Sequence, residues 1–297
     1  MSGDDRWWGM QYWVWTLEML YWPLHAADAI DLAEPFFQMY VRQLPAAKKA
    51  AEQRLGVEGA FYPETTHPDG PVILTDKAAK EYQDVLLERE PKNSLSLSTR
   101  IQCQHDSHLF YTVSGDGPSE KSYAAIGHLV SSGSEIAHHA WWRYRYSGDK
   151  EWLRDNAYPL LRETVEFYRN FVKKGDDGKY HIYNTNVHEQ YFCANDGIMD
   201  LAAIRGTAPL AIRAAEILGV DAELRDKWQE LLDNLAPYPM GSDPEAKGLD
   251  HNVLAEDVWA TGHLGKVAKA FGDERTSSRA EIRPSRRTLR MDSKIPA

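Results

Sequence analysis

Cysteine is scarce in this chain of 297 residues, and its scarcity excludes several kinds of site. The two cysteines, Cys103 and Cys193, are far apart in the sequence and form no C-x-x-C pair. They supply neither a disulfide framework nor a cysteine metal cluster. The sequence also has no Gly-rich phosphate loop, no G-x-S-x-G elbow and no H-E-x-x-H motif. It therefore gives no support to nucleotide, serine-hydrolase or zinc-protease chemistry.

Positive charge is also in short supply. The chain has 34 Lys and Arg residues against 44 Asp and Glu residues, which gives a formal net charge of −10. In the first 270 residues the basic residues form no continuous stripe. A surface that binds nucleic acid or an anionic membrane needs such a stripe. We therefore expect neither nucleic acid nor a membrane as a partner.

Apolar runs long enough to cross a bilayer are missing as well. The aromatic segment from Tyr12 to Pro23 comes nearest, but it carries Glu18 in its middle. It is neither a secretory apolar region nor a membrane span, and the acidic start of the chain does not resemble a signal peptide. We expect this segment to be a buried helix with further chain before it. The cellular location stays open, since it would be the cytoplasm only if residue 1 is the native start.

Helical periodicity dominates what the sequence does contain. Hydrophobic residues make up 43% and aromatic residues 11% of the chain, enough for a sizeable core. Between Asp149 and Val172, apolar residues recur at a spacing of three to four, as on one face of a helix. We predict a break at Pro23 and helix caps at Asp149 and Asp221. The predicted helices cover residues 12–21, 30–55, 76–88, 123–146, 149–173, 197–218, 221–235 and 253–271.

These helices alternate with polar loops and pair into α-hairpins. Such a chain stacks as a solenoid or closes into an (α/α)6 toroid with its long loops at one mouth. A closed ring needs six hairpins, whereas the predicted helices supply about half that number. We therefore predict an all-α domain over residues 1–272, arranged as a complete or partial toroid and truncated in this chain.

The composition changes after Gly272. Residues 273–297 are rich in Arg and Ser and show no apolar period. We expect a disordered tail unrelated to the fold, from a shifted reading frame or a truncated gene. A basic interaction tail is the alternative.

The polar loop from Asn184 to Tyr191 is the most informative segment of the chain. It places Glu189 among aromatic and amide side chains, and Asp200 follows in the first turn of the next predicted helix. A sugar-cleaving site needs a carboxyl group that donates a proton to the glycosidic oxygen, with aromatic faces that hold the sugar rings. Glu189 fits the donor. For Asp200 four roles stay open: partner base, support for the acid, ligand of a sugar hydroxyl, or cap of its own helix. In the alternative interpretation, Glu189 only caps the next helix.

Three further carboxylates are candidates for lining a sugar site. Glu18 lies in an apolar helix, where a bare charge costs several kcal/mol, so it is either paired or faces a cavity. Glu64 lies in a loop between a proline and a polar turn, and we place it with Glu18 among the substrate-binding residues. Glu135 lies on a helix with apolar neighbours, and a site role for it is the weaker alternative.

Aromatic, amide and imidazole groups complete the predicted sugar site. We place Trp22, Asn186 and His188 among the substrate-binding residues, although tryptophans at helical spacing also pack into cores. The adjacent His138 and His139 point about 100° apart on a helix and do not share one ion easily. The sequence thus predicts no metal and no cofactor.

Seven segments of the chain follow one another in the order found in a known enzyme family. They are Trp13 to Pro23, Tyr144 to Asp149, Trp152-Leu153, Ala157 to Leu161, Phe167-Tyr168, Val187 to Glu189 and Met199-Asp200. Over residues 10–235 this succession resembles the catalytic domain of glycoside hydrolase family 95, the α-L-fucosidase family. In that family Val187 to Glu189 corresponds to Ser-Pro-Glu, and Met199-Asp200 lies within Thr-Met-Asp.

The resemblance implies a six-hairpin toroid, an inverting mechanism and Glu189 as the general acid. In family 95 two asparagines and a distant aspartate activate the attacking water. Here Val14 and Thr16 stand at the asparagine positions. The aspartate would fall beyond the end of this chain. The fucose specificity of the family is therefore not implied, and the chain resembles a divergent and incomplete relative.

We accordingly predict a glycosidase that cleaves a carbohydrate with inversion, with Glu189 as proton donor. A catalytically inactive carbohydrate-binding remnant and a helical-repeat interaction protein are the alternatives. Self-association is possible, because a partial ring exposes the apolar faces of its inner helices.

Overall fold

The computed structural model describes residues 12–87, 89–90, 94–103, 128–187, 194–243, 246–247, 259–260 and 262–264. Within these residues the chain forms nine α-helices. They are α1 (Val14–Ala26), α2 (Glu34–Ala50), α3 (Asp76–Leu86), α4 (Leu97–Cys103), α5 (Ser132–Ser147), α6 (Lys150–Trp152), α7 (Tyr158–Phe171), α8 (Ile198–Leu218) and α9 (Ala222–Asn234). A 3-10 turn (Ile30–Ala33) leads into α2, and π-helical turns follow α2 (Ala51–Leu55) and α6 (Leu153–Ala157).

The described part of the chain also forms seven short strands, before, between and after the helices. They are β1 (Tyr12–Trp13), β2 (Thr65–Thr66), β3 (Lys173–Lys174), β4 (Tyr180–His181), β5 (Ala194–Asn195), β6 (Ala246–Lys247) and β7 (Gly262–Leu264). All pair antiparallel, β1 with β2, β3 with β4, and β5 and β6 on either side of β7.

The main helices form two layers. In one layer α1 packs against α5 and α5 against α8, while in the other α2 contacts α7 and α7 contacts α9. A continuous aromatic and aliphatic core lies between the layers, with Tyr21 of α1 against Phe36 of α2 at 4.5 Å between ring centroids. The apolar period seen in the sequence thus faces this shared core. The prediction of an all-α fold built from hairpins in a toroid-like arrangement is confirmed.

The connections between the layers differ at the two ends. Turns of a few residues join α1 to the 3-10 turn, α5 to α6 and α8 to α9. At the opposite end, residues 56–131 lead from α2 to α5, residues 172–197 lead from α7 to α8, and a third long connection follows α9. The amino termini of α5 and α8 therefore lie at the end where the long connections gather, and we call this end the mouth.

Two of the three predicted helix signals, the break at Pro23 and the cap at Asp221, are wrong. Pro23 does not break α1, which continues to Ala26. Pro23 lies on the exposed side of the helix, so solvent can satisfy the carbonyl group that its missing N–H leaves free. Asp149 caps α6 as predicted, since its carboxylate accepts from the amides of Glu151 and Trp152.

Asp221 does not cap α9. Its backbone is left-handed, with φ +50°, and its side chain makes no cap hydrogen bond. Instead, its carboxylate accepts a hydrogen bond of 2.5 Å from the Tyr158 hydroxyl and pairs with Arg162 at 3.3 Å. A tertiary contact with α7 has taken the side chain that local sequence assigns to the cap.

Helix boundaries differ from prediction where the chain enters the loops. Helix α7 ends at Phe171, and Lys173–Lys174 pair with β4. Helix α5 begins at Ser132. Gly262–Leu264 form β7 inside a stretch predicted as helix, because they pair with β5 and β6. Residues 273–297 lie outside the described residues, so the tail and the domain division stay predictions.

A close approach between a loop and α7 requires a glycine at position 59. Gly59 has φ +102°, and a Cβ there would lie 2.1 Å from the amide nitrogen of Phe167. We predict that Gly59→Ala lowers the free energy of unfolding by about 3 kcal/mol more than Gly178→Ala does. Gly178 is the matched control, since it has φ +79° but no atom within 4 Å of its Cβ position. Equal losses in urea unfolding would contradict the close approach.

Among the described helices, none combines the length and the apolar character that crossing a bilayer requires.

Candidate active site

Glu64 joins the amino termini of α1 and α5 at the mouth. Its carbonyl oxygen accepts from the amide of Val14 and its Oε1 from the amide of Trp15, both at 3.0 Å. Its Oε2 accepts from the Ser132 hydroxyl at 3.0 Å. The residue at the N-cap position, Trp13, supplies no side-chain cap. Glu64 thus takes over the capping of α1 from outside the helix.

Glu64 is fully buried, and this decides both its charge and its role. Burial raises the pKa of Glu64 to about 9, although the hydrogen bonds from Trp15 and Ser132 lower it. At neutral pH the side chain is therefore a neutral acid. A group without exposed surface does not fit the predicted contact with substrate, and its geometry favours support of the two helices.

Glu18 and Glu135 lie beside Glu64 and keep some exposure. The Trp15 indole donates to Glu135 Oε1 at 2.9 Å, and the Ser131 hydroxyl donates to the same atom at 3.2 Å. Glu18 Oε2 lies 3.5 Å from His139 Nε2. These three glutamates, Glu18, Glu64 and Glu135, are called the carboxyl cluster below.

Burial raises the pKa of every member of the carboxyl cluster, and neighbouring charges add to it for Glu18 and Glu64. Burial, followed by the charge of Glu135, raises the pKa of Glu18 to about 8. Burial also raises the pKa of Glu135, while its hydrogen bonds from Trp15 and Ser131 lower it. Acids whose pKa is raised by burial and by neighbouring charges are typical of functional sites.

Trp22 is more exposed than a core residue would be. Its side chain is 44% exposed, its indole donates to His139 Nε2, and its ring meets Trp142 edge-on at 6.4 Å. It lies one turn beyond Glu18 on α1. The sequence left core packing and sugar stacking open, and this exposure favours stacking.

Asp200 anchors the segment that contains Glu189. Asp200 is fully buried, and its Oδ2 accepts a hydrogen bond of 2.5 Å from the Thr185 hydroxyl. Thr185 and Ala194 exchange two backbone hydrogen bonds, of 3.1 and 2.8 Å. The chain is therefore closed at residues 185 and 194, on either side of residues 188–193. His188 and Glu189 lie outside the described residues.

The charge of Asp200 is controlled by its surroundings. Burial raises its pKa to about 7, the Thr185 hydrogen bond lowers it, and the charge of Asp196 raises it. Its Oδ1 has no hydrogen-bond partner among the described residues. Asn186, the neighbour of Thr185, is buried, and its backbone N–H donates to the carbonyl of His128 at 3.3 Å.

The pKa of Tyr168 responds both to Glu135 of the carboxyl cluster and to Asp200. Its hydroxyl donates to the carbonyl of Val130 at 2.8 Å. Burial raises the pKa of Tyr168, and the charges of Asp200 and Glu135 raise it further. The two groups of acids therefore belong to one electrostatic environment at the mouth.

Sequence reasoning gave Glu135 too little weight and missed Ser132. It weighed Trp15 as a stacking or core residue and did not predict its hydrogen bonds to Glu64 and Glu135. The Ser-x-x-Glu pattern of residues 132–135 is a helix-start signal that would have placed Glu135 in the first turn of α5. The adjacent histidines face different neighbours, as predicted, with His139 beside Glu18 and His138 beside Gly206. Among the residues that the structure describes, no three acidic, histidine or cysteine side chains are grouped to hold a metal.

Parts of the chain are similar in sequence to known proteins. Residues 99–257, just over half of the chain, match the glycosyl hydrolase family 95 catalytic domain. A kojibiose hydrolase of Flavobacterium johnsoniae is 30% identical over 170 residues, which cover 51% of this chain and 24% of the relative. α-L-Fucosidase 2 of Arabidopsis thaliana is 33% identical over 96 residues, 29% of this chain and 11% of the relative.

A second kojibiose hydrolase, of Mucilaginibacter mallensis, is 28% identical over 132 residues, 40% of this chain and 19% of the relative. The chain thus spans at most about a quarter of the length of these curated relatives.

Proposed function

The chain belongs to glycosyl hydrolase family 95, and from this premise we propose that it hydrolyses a glycosidic bond at the mouth. One observation in particular supports the mouth as the place of hydrolysis. Glu18, Glu64 and Asp200, from three separate parts of the sequence, lie at the same end of the fold, and burial raises the pKa of each. Burial that keeps carboxyl groups protonated is what glycoside hydrolysis requires of its acid.

In this proposal Glu189 donates the proton to the leaving oxygen, and the anomeric centre is inverted. Support comes from the likeness of Val187 to Glu189 to the family's Ser-Pro-Glu sequence, and from the closed ends at Thr185 and Ala194. A donor must be held close to the oxygen it protonates, so a fixed base for its segment is an advantage.

Asp200 acts as a positioning residue in the proposal. Its carboxyl group is fully buried and holds Thr185, which begins the segment leading to Glu189. A base that activates water must reach that water. The burial of Asp200 therefore favours the support role over the role of partner base.

Glu18 and Glu135 bind sugar hydroxyls, together with His188. Asn186, predicted to bind substrate, is buried and supports its segment instead. A sugar hydroxyl both donates and accepts, and so does a protonated carboxyl group. The partly exposed Glu18, with its raised pKa, suits this exchange. The exposed indole of Trp22 lies one turn away and offers a flat apolar face. No metal or cofactor takes part in the proposal.

The names of the relatives suggest the first substrates to test. We expect turnover of kojibiose or of an aryl α-L-fucoside, measured by release of the free sugar. Nuclear magnetic resonance at early times should show a product with the opposite anomeric configuration to the substrate. Sugar binding without turnover of any glycoside would instead support the inactive remnant. Retained configuration would contradict the inverting mechanism.

Self-association stays a prediction. The apolar side chains of Met19 and Leu20 on α1 are exposed in the structure. They offer a surface that a second copy would cover. Analytical ultracentrifugation of the full chain tests this directly.

A further inference from the structure

Trp259 has an exposed indole that packs against a second aromatic side chain. Its side chain is 63% exposed, and its ring centroid lies 5.2 Å from that of Tyr238. The Arg205 guanidinium lies over the Tyr238 ring, 4.4 Å from its centroid. Arg205, Tyr238 and Trp259 are called the aromatic platform below. Large aromatic side chains normally bury most of their surface, so a supported but open indole indicates a contact still to be made.

The backbone beneath the aromatic platform is also fixed. Arg205 donates to the carbonyl of Ala236 at 2.6 Å. Met240 pairs with Trp259 as an antiparallel bridge, and the Ala260 amide donates to the Pro239 carbonyl at 2.8 Å. The indole is therefore held in place before any ligand arrives, which lowers the entropy lost on binding.

Polar groups border the aromatic platform. Asp243 Oδ2 accepts from the amide of Met240 at 2.8 Å and lies 2.9 Å from His263 Nε2. These hydrogen bonds lower the pKa of Asp243, so it is a carboxylate at neutral pH. Asp243 and His263 both keep part of their side chains exposed. An apolar ring face bordered by a carboxylate and an imidazole suits a pyranose ring, which has an apolar face and hydroxyls around its edge.

The aromatic platform belongs to the mouth. Arg205 lies on α8, the helix that carries Asp200. Strand β7, three residues after Trp259, pairs with β5. A Cβ at Gly262 would lie 3.3 Å from both the Ala194 Cβ and the Gly197 Cα. The strand beside the platform is thus packed against the end of the segment that contains Glu189.

We propose that the aromatic platform is a saccharide subsite in which Trp259 stacks on a pyranose ring next to the bond that is cleaved. Asp243 and His263 bind hydroxyls of the same ring. The subsite rests on the proposed function for its place beside the cleaved bond. Its occupant is a sugar ring of the substrate other than the one held by the carboxyl cluster.

The test compares Trp259→Ala with the matched control Tyr146→Ala. Tyr146 is also an exposed aromatic residue, but it lies at the carboxyl end of α5, away from the mouth. Kojibiose is the probe, with binding followed by calorimetry and hydrolysis by sugar release. We expect Trp259→Ala to weaken kojibiose binding by about tenfold, the effect of one aromatic contact of this kind. Tyr146→Ala should leave binding unchanged.

A spectroscopic readout separates this inference from the proposed function. The chain is labelled with 5-fluorotryptophan, the Trp259 signal is assigned by its loss in Trp259→Phe, and kojibiose is added. Hydrolysis without a shift of the Trp259 signal overturns the subsite and leaves the proposed function standing. A shift with kojibiose, together with no hydrolysis of kojibiose or of an aryl α-L-fucoside, supports the subsite and overturns the proposed function. No shift, and no hydrolysis of either substrate, overturns both.

Discussion

Replacing Glu189 by Gln is expected to lower kcat for kojibiose by about 10³-fold, within the range usual for loss of a general acid. Glutamine keeps the size and polarity of the side chain but has no acidic proton to give to the leaving oxygen. Binding should persist, because the carboxyl cluster and Trp22 are untouched. Initial rates and calorimetry on the same preparation measure the two effects.

The matched control for this substitution is Glu223→Gln. Glu223 is an exposed glutamate in the first turn of α9, remote from the carboxyl cluster in the sequence and fold. Its replacement should leave kcat unchanged. A Glu189→Gln variant with wild-type turnover would show that another group donates the proton.

The free energy of unfolding is expected to fall as the pH rises from 6 to 9. Glu64 has a pKa of about 9 in the folded protein, against 4.5 for an ordinary glutamate. Its stabilising contribution is complete below pH 4.5 and is lost as the pH rises toward 9. Each pH unit in this range lowers the free energy of unfolding by about 1.4 kcal/mol for each proton that only the folded state retains. For Glu64, the loss from pH 6 to pH 9 is on the order of 4 kcal/mol.

Asp200 and Glu18 change stability in the same direction. Asp200, with a pKa of about 7, contributes at the lower end of this range. Glu18 is only half-buried, so solvent reduces its contribution. The buried His128 and His139 have lowered pKa values, of about 4 and 3. Their contribution is present above pH 6.5 and is lost at lower pH. The change between pH 7 and 9 therefore reports on the carboxyl groups and on His181, whose raised pKa acts in the same direction.

Glu64→Gln isolates the contribution of Glu64. A neutral glutamine resembles the protonated acid and still accepts from the Trp15 amide, so stability at pH 6 should change by less than about 1 kcal/mol. The loss of stability between pH 7 and 9 should become much smaller. Glu223→Gln, on the exposed face of α9, is the control and should keep the wild-type pH dependence. Urea unfolding at each pH gives the free energies, and an unchanged slope in Glu64→Gln would contradict the assignment.

The sequence predicts the helices well where a signal is local and unopposed. The apolar period between Asp149 and Val172 identifies the helical stretch ending in α7, and the Asp149 cap follows from the residue type alone. The same reasoning fails at Asp221, because Tyr158 and Arg162 are distant in sequence and bind its carboxylate. It fails at Gly262 because strand pairing joins segments that local pattern cannot relate.

The residues of the candidate site also fall into two kinds, those that the sequence identifies and those that only the fold identifies. Glu18 stands out as an acid in an apolar helix, and its pKa of about 8 agrees with that signal. The role of Glu64 was beyond sequence reasoning, since its hydrogen bonds join residues 49 and 68 positions away. The link from Asp200 to Thr185 spans 15 positions and also depends on the fold. Residue type identifies the acids, while packing decides which of them face a substrate.

The most direct test of the central proposal compares two substrates that differ in the leaving group. Kojibiose needs a proton on its departing oxygen, whereas a dinitrophenyl glycoside of the same sugar releases a stable phenolate without one. If Glu189 is the proton donor, Glu189→Gln will lose about 10³-fold in kcat on kojibiose and less than about tenfold on the dinitrophenyl glycoside. Equal losses on both substrates, or no loss on either, would contradict proton donation by Glu189.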